Sequence, residues 1–200
     1  MPMSDRLLVS GFDRFGFTKE PNSSSEVALP AIKQKYGDLV EALVLPTAHD
    51  VAAAKLLEAI REISPLGIVM FGISSRSSIS LEQRAINERF SLLTPDNNGV
   101  CVFDKVDPQG ASRYSSTLPL DALYTRLHAA NVPVEVSMDA GTFVCNEVMY
   151  RALRHTENQA TPTGFIHLGN RLSDRLVEEA AVLVVDELVG LTVGATTTHD

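Results

Sequence analysis

Short apolar runs alternate with segments of helical periodicity along most of the chain. The runs have the length of strands, and those that are apolar throughout are typical of strands buried on both faces of a sheet. Strands are predicted at residues 7–10, 40–45, 67–71, 132–137 and 164–168. In the segments between them, apolar residues recur every three or four positions. Helices are predicted at residues 24–35, 51–63, 120–130, 146–155 and 173–190, the first of them capped by Ser24 or Ser25.

This alternation of strands and helices predicts an α/β fold. We expect a three-layer α/β/α sandwich around a mixed, mostly parallel central sheet. Residues 74–110 lack the pattern, and we predict long loops with short irregular strands there. In such sheets, functional sites form where strands end and loops begin. The candidate positions at predicted strand ends are residues 11–17, 46–47 and 72–76, together with Cys145 and His167.

Size and charge exclude several classes of protein. The 200 residues suit one domain, residues 1–200, and are too few for two ordinary ones. The net charge of -8 argues against nucleic-acid binding and against anionic membranes. The N-terminus lacks a signal-peptide profile, and no apolar run approaches the ~20 residues that span a bilayer. Because two cysteines do not make a disulfide framework, we expect a cytoplasmic protein.

Cys145 follows a predicted strand and stands at the start of a predicted helix. A thiol in that setting lies at the positive end of the helix dipole, which stabilises the nucleophilic thiolate. The unpaired N–H groups there can also bind a developing oxyanion. A lone cysteine is otherwise most often a small core residue, and we interpret Cys101 as buried in this way. Gly141 and Thr142 lead into Cys145 and favour the reactive setting, which predicts a thiol hydrolase.

A thiol nucleophile needs a base, and five histidines are available. His167 ends an apolar strand, where an imidazole needs a polar partner. A hydrogen-bonded structural histidine is the alternative interpretation of this residue. His49 also follows a strand and remains a candidate. His128 and His155 are expected on the surface, and His199 lies in the C-terminal tail.

A third group would orient the imidazole and stabilise its cation. Glu82 is a candidate, but its segment has no strong periodicity, and the pattern alone favours an exposed carboxylate beside Arg84. The histidines and carboxylates lack a metal-ligand spacing such as His-Glu-x-x-His. We therefore expect neither a metal nor another cofactor.

Seven short motifs are spread along the chain. The chain contains Gly-Phe-Asp-Arg-Phe-Gly, Asn-Ser-Ser-Ser-Glu-Val-Ala, Ser-Leu-Glu-Gln-Arg-Ala-Ile-Asn, Pro-Asp-Asn, Ser-Thr-Leu-Pro, Ala-Gly-Thr-Phe-Val-Cys-Asn and Gly-Phe-Ile-His, which begin at residues 11, 22, 80, 95, 116, 140 and 164. Together they resemble the pyroglutamyl-peptidase I (pyrrolidone-carboxylate peptidase) family of cysteine peptidases over nearly the whole chain. The cysteine motif is the most specific, because it matches the family pattern at every position.

The resemblance implies a phosphorylase/hydrolase-like sandwich and a cysteine exopeptidase, or omega peptidase. Such an enzyme removes the N-terminal pyroglutamyl residue of a blocked peptide through a thioester acyl-enzyme. By the same resemblance, Cys145 is the nucleophile, His167 the base and acid, and Glu82 the orienting residue. The lactam ring would be bound by Phe12, Phe15, Thr47, Phe143 and Val144. Phe17 is a further candidate for an apolar face of the pocket, and the alternative is that these phenylalanines belong to the core. Because family members are often dimers or tetramers, a homo-oligomer is implied as well.

Three segments depart from the family pattern and leave the choice of substrate open. Residues 72–76 replace a Gln-Ala-Gly-Gly-Arg loop, and residues 168–171 replace a proline-rich continuation. Many relatives carry an arginine where this chain has residues 91–94, and Arg89 could replace it only from a shifted position. The alternatives are a divergent cysteine amidase for another blocked or cyclic N-terminal acyl group, a phosphate-using glycosyl-transfer enzyme with the anion at residues 72–78, and a non-catalytic ligand-binding relative.

Overall fold

A computed structural model describes residues 6–16, 22 and 24–196 of the chain. Its strands are β1 (Leu7–Phe12), β2 (Val40–Leu45), β3 (Gly67–Ser74), β4 (Ile79–Glu82), β5 (Arg84–Ile86), β6 (Arg89–Phe90), β7 (Phe103–Asp104), β8 (Arg113–Ser115), β9 (Val134–Ser137) and β10 (Thr163–Gly169). Six of them form a central sheet in the order β2-β1-β3-β10-β4-β9. Strands β1, β2, β3 and β10 run parallel, β4 is antiparallel to β10, and β9 is parallel to β4. The mixed, mostly parallel sheet is thus confirmed.

Helices cover both faces of this sheet. On one face lie α1 (Leu29–Tyr36), α3 (Leu120–Ala129) and α5 (Asp174–Thr196), and on the other lie α2 (Val51–Ile63) and α4 (Val144–His155). Because α5 packs on both α1 and α3, and α2 packs on α4, each face carries a continuous helical layer. The predicted three-layer sandwich is therefore confirmed.

Side-chain alternation along the strands decides which groups share a face. On β10, Phe165 packs in the core under α2 and α4, whereas Ile166 packs under the other three helices. His167 therefore lies on the α2/α4 side. On β4, Leu81 packs with Ile166, so the next residue, Glu82, lies on the same side as His167. The two candidate residues thus meet on the face where α4 begins.

The predicted elements are present, and some of their ends are shifted. Strand β3 extends to Ser74, and α5 extends to Thr196. The predicted helix at 24–35 begins as a π-helical turn, Ser24–Ala28, before α1. The predicted serine cap is wrong, because the Oγ of Ser24 accepts a hydrogen bond from the N–H of Phe12 (2.9 Å). Asn22 takes that role instead, since its Oδ1 accepts a hydrogen bond from the N–H of Ser24 (3.1 Å).

Two small antiparallel sheets in the described residues confirm the short irregular strands expected between residues 74 and 110. Strand β5 pairs with β8, and β6 pairs with β7. Asn146, the residue after Cys145, fastens them to α4. Its Oδ1 accepts a hydrogen bond from the N–H of Ile86, and its amide donates to the carbonyl oxygens of Ile86 and Glu88, all at 2.9 Å.

Two expectations about exposure are wrong. Glu82 is completely buried, because β4 is an interior strand of the central sheet between β10 and β9. Cys101 is exposed, because it follows a turn at Gly99 in the loop between β6 and β7, outside the three layers. None of the helices in the described part of the chain is both long and apolar enough to cross a bilayer.

Candidate active site

Cys145 occupies the first turn of α4, one residue after the helix begins at Val144. The preceding residue, Phe143, has extended backbone (φ -91°, ψ -168°) and no polar side-chain atom with which to cap the helix. The N–H groups of the first turn are therefore left for another acceptor. The Cys145 side chain is half-buried and carries no disulfide. A thiol beside the positive end of a helix is the setting that the sequence predicted.

Gly72 in β3 forms the floor beneath this thiol. A Cβ atom at position 72 would lie 3.1 Å from Sγ of Cys145 and 2.8 Å from Cζ of Phe165. The helix terminus can approach the strand only because position 72 has no side chain. This close approach places the sulfur against the carboxyl-terminal half of β3, at the edge where parallel α/β sheets form their sites.

His167 lies next to the thiol on the neighbouring strand. Its Nδ1 is 2.8 Å from Oε1 of Glu82, and the ring packs on Phe165 with the two centroids 4.8 Å apart. Burial lowers the pKa of His167, but hydrogen bonding to Cys145 and to Glu82 outweighs burial and raises this pKa to about 9. Because Nδ1 faces the carboxylate, Nε2 is the nitrogen left for the thiol. The histidine thus joins sulfur and carboxylate.

Glu82 has a second partner in Arg76. Nη1 of Arg76 lies 3.3 Å from Oε1 of Glu82, and its Nη2 donates to the carbonyl oxygen of Asp139 (3.2 Å). The other carboxylate oxygen, Oε2 of Glu82, is buried and has no hydrogen-bond partner among the described residues. His167 and Arg76 therefore both bind the same oxygen of the Glu82 carboxylate, Oε1.

A small apolar cavity of about 190 Å³ opens beside the sulfur. It is lined by Phe12, Phe15, Asn22, Thr47, Ile73, Phe143 and Cys145. Phe15 and Phe143 meet edge to face with centroids 5.3 Å apart. Four of the five predicted pocket residues line the cavity, whereas the side chain of Val144 is completely buried in the core. Any contact of Val144 with a ligand would come from its backbone; Phe17 lies outside the described residues.

A larger cavity of about 440 Å³ lies far from this chemistry. It sits at the C-terminal ends of α2 and α4, next to Ser64 and His155. Since His155 is ten residues after Cys145 on the same helix, the two ends are about 15 Å apart. The smaller cavity is the one that the candidate nucleophile can reach.

The remaining histidines do not join this cluster. His49 is buried and pairs with Glu147, His128 is exposed as expected, and His155 is half-buried rather than fully exposed. His199 lies outside the described residues. In the described ranges, no group of three or more His, Cys, Asp or Glu side chains is arranged to hold a metal ion.

Arg89 does not replace the family arginine in the pocket. Its guanidinium forms two hydrogen bonds of 2.8 Å with Asp104 and lies 3.0 Å from Asp50 and 3.4 Å from Glu147. Hydrogen bonding to Asp104 is the main reason that the pKa of Arg89 is raised, against the effect of burial. This cation is committed to three carboxylates.

Comparison with known proteins shows the family to which this chain belongs. A family model described as pyroglutamyl peptidase matches residues 5–199. The chain belongs to the pyroglutamyl peptidase family. The resemblance drawn from the motifs is therefore confirmed, and the chain is a hydrolase of the cysteine-peptidase class.

Relatives and solved structures of this family agree. The pyrrolidone-carboxylate peptidase of Finegoldia magna is 35% identical over 82% of this chain and 78% of its own. That of Streptococcus suis is 36% identical over 82% of this chain and 77% of its own. The X-ray structure of pyrrolidone carboxyl peptidase from Pyrococcus furiosus matches with a TM-score of 0.85 and 27% identity, covering 94% of this chain and 99% of that one.

Sequence reasoning missed two residues of this pyroglutamyl-peptidase site. Arg76 falls in residues 72–76, a predicted strand-end position that departs from the family pattern, and Asn22 falls in a motif, but the sequence assigns neither a role in the site. Neither role follows from local sequence, because each residue contacts the site through a fold that joins distant segments. The sequence signal that points to Arg76 is the position of residues 72–76 at the end of a predicted strand.

Proposed function

We propose that this protein is a cysteine exopeptidase that hydrolyses the bond after an N-terminal pyroglutamyl residue. Cys145 is the nucleophile, His167 the base and acid, and Glu82 the orienting carboxylate. The observation that carries this proposal is the position of His167, whose Nδ1 lies 2.8 Å from Oε1 of Glu82 and whose pKa is raised by its interaction with Cys145, beside an aromatic cavity. The relatives from Finegoldia magna and Streptococcus suis are pyrrolidone-carboxylate peptidases, which supports the same substrate.

The pocket suits a pyrrolidone ring in size and polarity. Its volume of about 190 Å³ fits a five-membered lactam, and the rings of Phe12, Phe15 and Phe143 offer apolar faces. Thr47 and the backbone of Val144 supply polar groups for the lactam N–H and C=O. A free amino terminus would bring an unpaired charge into this cavity, so unblocked peptides are rejected.

Acylation begins with attack of the Cys145 sulfur on the pyroglutamyl carbonyl carbon. The raised pKa of His167 favours the imidazolium, which leaves the thiol proton on the ring and the sulfur as thiolate. Backbone N–H groups of the first turn of α4 stabilise the oxyanion. The imidazolium then gives its proton to the amine nitrogen, the C–N bond breaks, and a thioester remains on Cys145.

Deacylation reverses these roles. Neutral His167 takes a proton from water, and the water oxygen attacks the thioester carbonyl carbon. When the C–S bond breaks, the thiolate of Cys145 and the imidazolium of His167 are restored and pyroglutamate leaves. Throughout the cycle Glu82 accepts the hydrogen bond from Nδ1, which fixes the ring tautomer and stabilises its cation. Neither a metal nor another cofactor takes part in any step.

The remaining parts of the proposal concern assembly and location. Residues 1–200 form one catalytic domain, and the protein works in the cytoplasm, which agrees with its two free cysteines. It forms a homo-oligomer, a dimer or a tetramer. The exposed side chains of Leu93 and Phe103 around the β6–β7 hairpin support this, because apolar surface of that kind is commonly covered by a partner. Light scattering on the protein as it elutes from a size-exclusion column measures the mass of the assembly. A mass of two or four chains is expected, and the mass of one chain would contradict this part of the proposal.

The experiment compares two coumarin amides that differ only in the ring. The pyroglutamyl amide carries an uncharged lactam, whereas the prolyl amide carries a charged secondary amine on a ring of the same size. We expect release from the pyroglutamyl compound only, with unchanged rate in EDTA and without added phosphate. Preference for another acyl group would indicate a divergent amidase, strict dependence on phosphate a glycosyl-transfer enzyme, and binding without release a non-catalytic relative.

A further inference from the structure

A second histidine–carboxylate pair lies behind the acyl pocket. Nδ1 of His49 is 2.7 Å from Oε2 of Glu147, and their side chains are 1% and 0% exposed. His49 follows Thr47 of the pocket by two residues, and Glu147 follows Cys145 by two residues on α4. The pair therefore joins one wall of the pocket to the helix that carries the nucleophile.

The carboxylate of Glu147 is fully committed. Its Oε1 accepts a hydrogen bond from the N–H of Asp50 (3.0 Å) and lies 3.3 Å from Nε of Arg151 and 3.4 Å from Nη1 of Arg89. Burial raises the pKa of Glu147, but the bond from His49 and the charges of Arg89 and Arg151 outweigh burial and lower this pKa. A buried ionised cluster of this kind adds little net stability, so its value lies in fixing positions.

Backbone strain marks the same place. Asp50 has a positive φ (59°, ψ -42°), a region that is costly for a residue with a side chain. Two groups from α4 hold it there: Glu147 accepts its N–H, and Arg151 binds its carboxylate at 2.8 Å. Strained backbone persists only where its surroundings hold it in place. The two contacts from α4 therefore fix the turn at Asp50, directly after His49 and Thr47.

The imidazole of His49 supports the aromatic wall directly. Its ring stands edge to face against Phe143, with centroids 5.2 Å apart and an angle of 86°. Phe143 in turn stands edge to face against Phe15, at 5.3 Å. A chain of contacts therefore runs from the carboxylate of Glu147 through His49 to the two rings that face the cavity.

The other ring nitrogen of His49, Nε2, contacts the β6–β7 hairpin. Nε2 of His49 lies 3.3 Å from Oγ of Ser91, which also accepts the N–H of Val102 at 3.1 Å. Phe90, the residue before Ser91, bonds to the loop that leads into Cys145. Its N–H donates to the carbonyl oxygen of Thr142 (3.0 Å). His49 thus lies where the pocket wall, the β6–β7 hairpin and the loop before Cys145 meet.

We propose that His49 and Glu147 are positioning residues that set the shape of the acyl pocket, so that they govern affinity for the lactam ring and not the chemical step. Neither touches the reacting atoms. The inference rests on the proposed function, because it assigns the pocket to a pyrrolidone ring. It also implies that two segments 98 residues apart in the sequence together form the pocket wall, joined by the His49–Glu147 contact and by the bonds of Glu147 and Arg151 to Asp50.

The test measures KM and kcat with the pyroglutamyl coumarin amide for His49→Leu and His49→Asn. The leucine removes both the ring and the donor, whereas the asparagine keeps an N–H for Glu147. We expect about a fivefold to tenfold rise in KM for His49→Leu, the size of a lost aromatic contact, with kcat within about twofold. His49→Asn should recover part of the loss. Glu147→Gln, which still accepts from His49, should raise KM less than His49→Leu.

Tyr36→Phe is the control for a partly buried polar contact away from the pocket. Tyr36 lies in α1 on the opposite face of the sheet, where its hydroxyl bonds to Asp186 and to the carbonyl oxygen of Val182. We expect this variant to melt at a lower temperature with KM unchanged. A His49→Leu variant that behaved in the same way, less stable but with unchanged KM, would overturn the proposal.

Binding of 2-pyrrolidone by Cys145→Ala protein, measured by calorimetry, separates this inference from the proposed function. The expected result is that adding His49→Leu to the Cys145→Ala protein weakens this binding, because the pocket itself is affected and this protein does not turn substrate over. Equal affinity for 2-pyrrolidone in Cys145→Ala with and without His49→Leu would contradict the inference. Failure of the wild-type enzyme to release coumarin would refute the proposed function, while the pyrrolidone titration would still report on the pocket.

Discussion

Nδ1 of His167 lies 2.8 Å from Oε1 of Glu82 across the one antiparallel strand pair of the central sheet. In the register of this pair Glu82 lies opposite Phe165, so Glu82 and His167 are diagonal neighbours on one face. Diagonal neighbours are within reach of long side chains. The reversal of β4 relative to β10 is therefore what brings the carboxylate behind the imidazole.

Replacing Glu82 by Gln tests this relationship. The amide keeps the size of the side chain but removes the charge that stabilises the imidazolium, so we expect kcat to fall by roughly a hundredfold or more while KM changes little. Steady-state kinetics with the pyroglutamyl amide check this. An unchanged kcat would remove Glu82 from the mechanism. Glu178→Gln, an exposed carboxylate on α5 on the opposite side of the sheet, serves as the control.

The alkaline limb of the pH–rate profile should report His167. Its pKa is raised from 6.5 to about 9, so the imidazolium that protonates the leaving amine is lost as the pH rises through about 9. We expect kcat/KM to decline there. For the same reason, the stability that the protonated ring contributes is complete below pH 6.5 and disappears as the pH passes 9.

In Glu82→Gln the midpoint of this limb should move to lower pH, since hydrogen bonding to Glu82 is one of the causes that raise the pKa. Profiles of the two proteins measured side by side would show the shift. Coincident alkaline limbs would mean that another group titrates there.

Gly72→Ala tests the close approach of the thiol to β3. The added methyl would lie 3.1 Å from Sγ of Cys145 and 2.8 Å from the ring of Phe165, so the nucleophile has to move. We expect kcat/KM to fall by about a hundredfold, because small displacements of reacting atoms are costly. Gly190→Ala on the exposed face of α5, where nothing lies within 4 Å of the new Cβ, should retain full activity. Full activity in Gly72→Ala would contradict the placement.

Phe15→Ala tests the pocket. Phe15 lines the cavity and stacks edge to face on Phe143, so its loss should raise KM by about tenfold with a smaller effect on kcat. Phe103→Ala removes a ring that is 74% exposed on the hairpin and should leave KM unchanged. Equal KM values for wild type and Phe15→Ala would exclude this ring from substrate binding.

The sandwich was predictable because burial on both faces imposes an apolar composition on strands such as β3, whose first six residues are all buried. The same logic located the thiol at a helix start and the imidazole at a strand end. It did not locate Glu82, because residues 79–82 showed no strong periodicity and were not predicted to form a strand of the central sheet. All four residues of β4 are buried, the apolar Ile79 and Leu81 on one face and the polar Ser80 and Glu82 on the other.

Long-range contacts explain the other errors. Cys101 has apolar neighbours, Val100 and Val102, and so resembles core, yet its loop lies outside the three layers. The pairing of His49 with Glu147 joins residues 98 positions apart, and no local pattern links them. Such contacts depend on the register of the fold, which composition and periodicity do not encode.

Cys145→Ala and Cys101→Ala, assayed side by side with the pyroglutamyl amide, test the central claim most directly. Each variant removes one thiol, but only one of the two sulfurs lies beside His167 and the cavity. We expect Cys145→Ala to stay folded and release no product above background, and Cys101→Ala to keep the wild-type rate. A Cys145→Ala protein that retained full activity would contradict the assignment of Cys145 as the nucleophile.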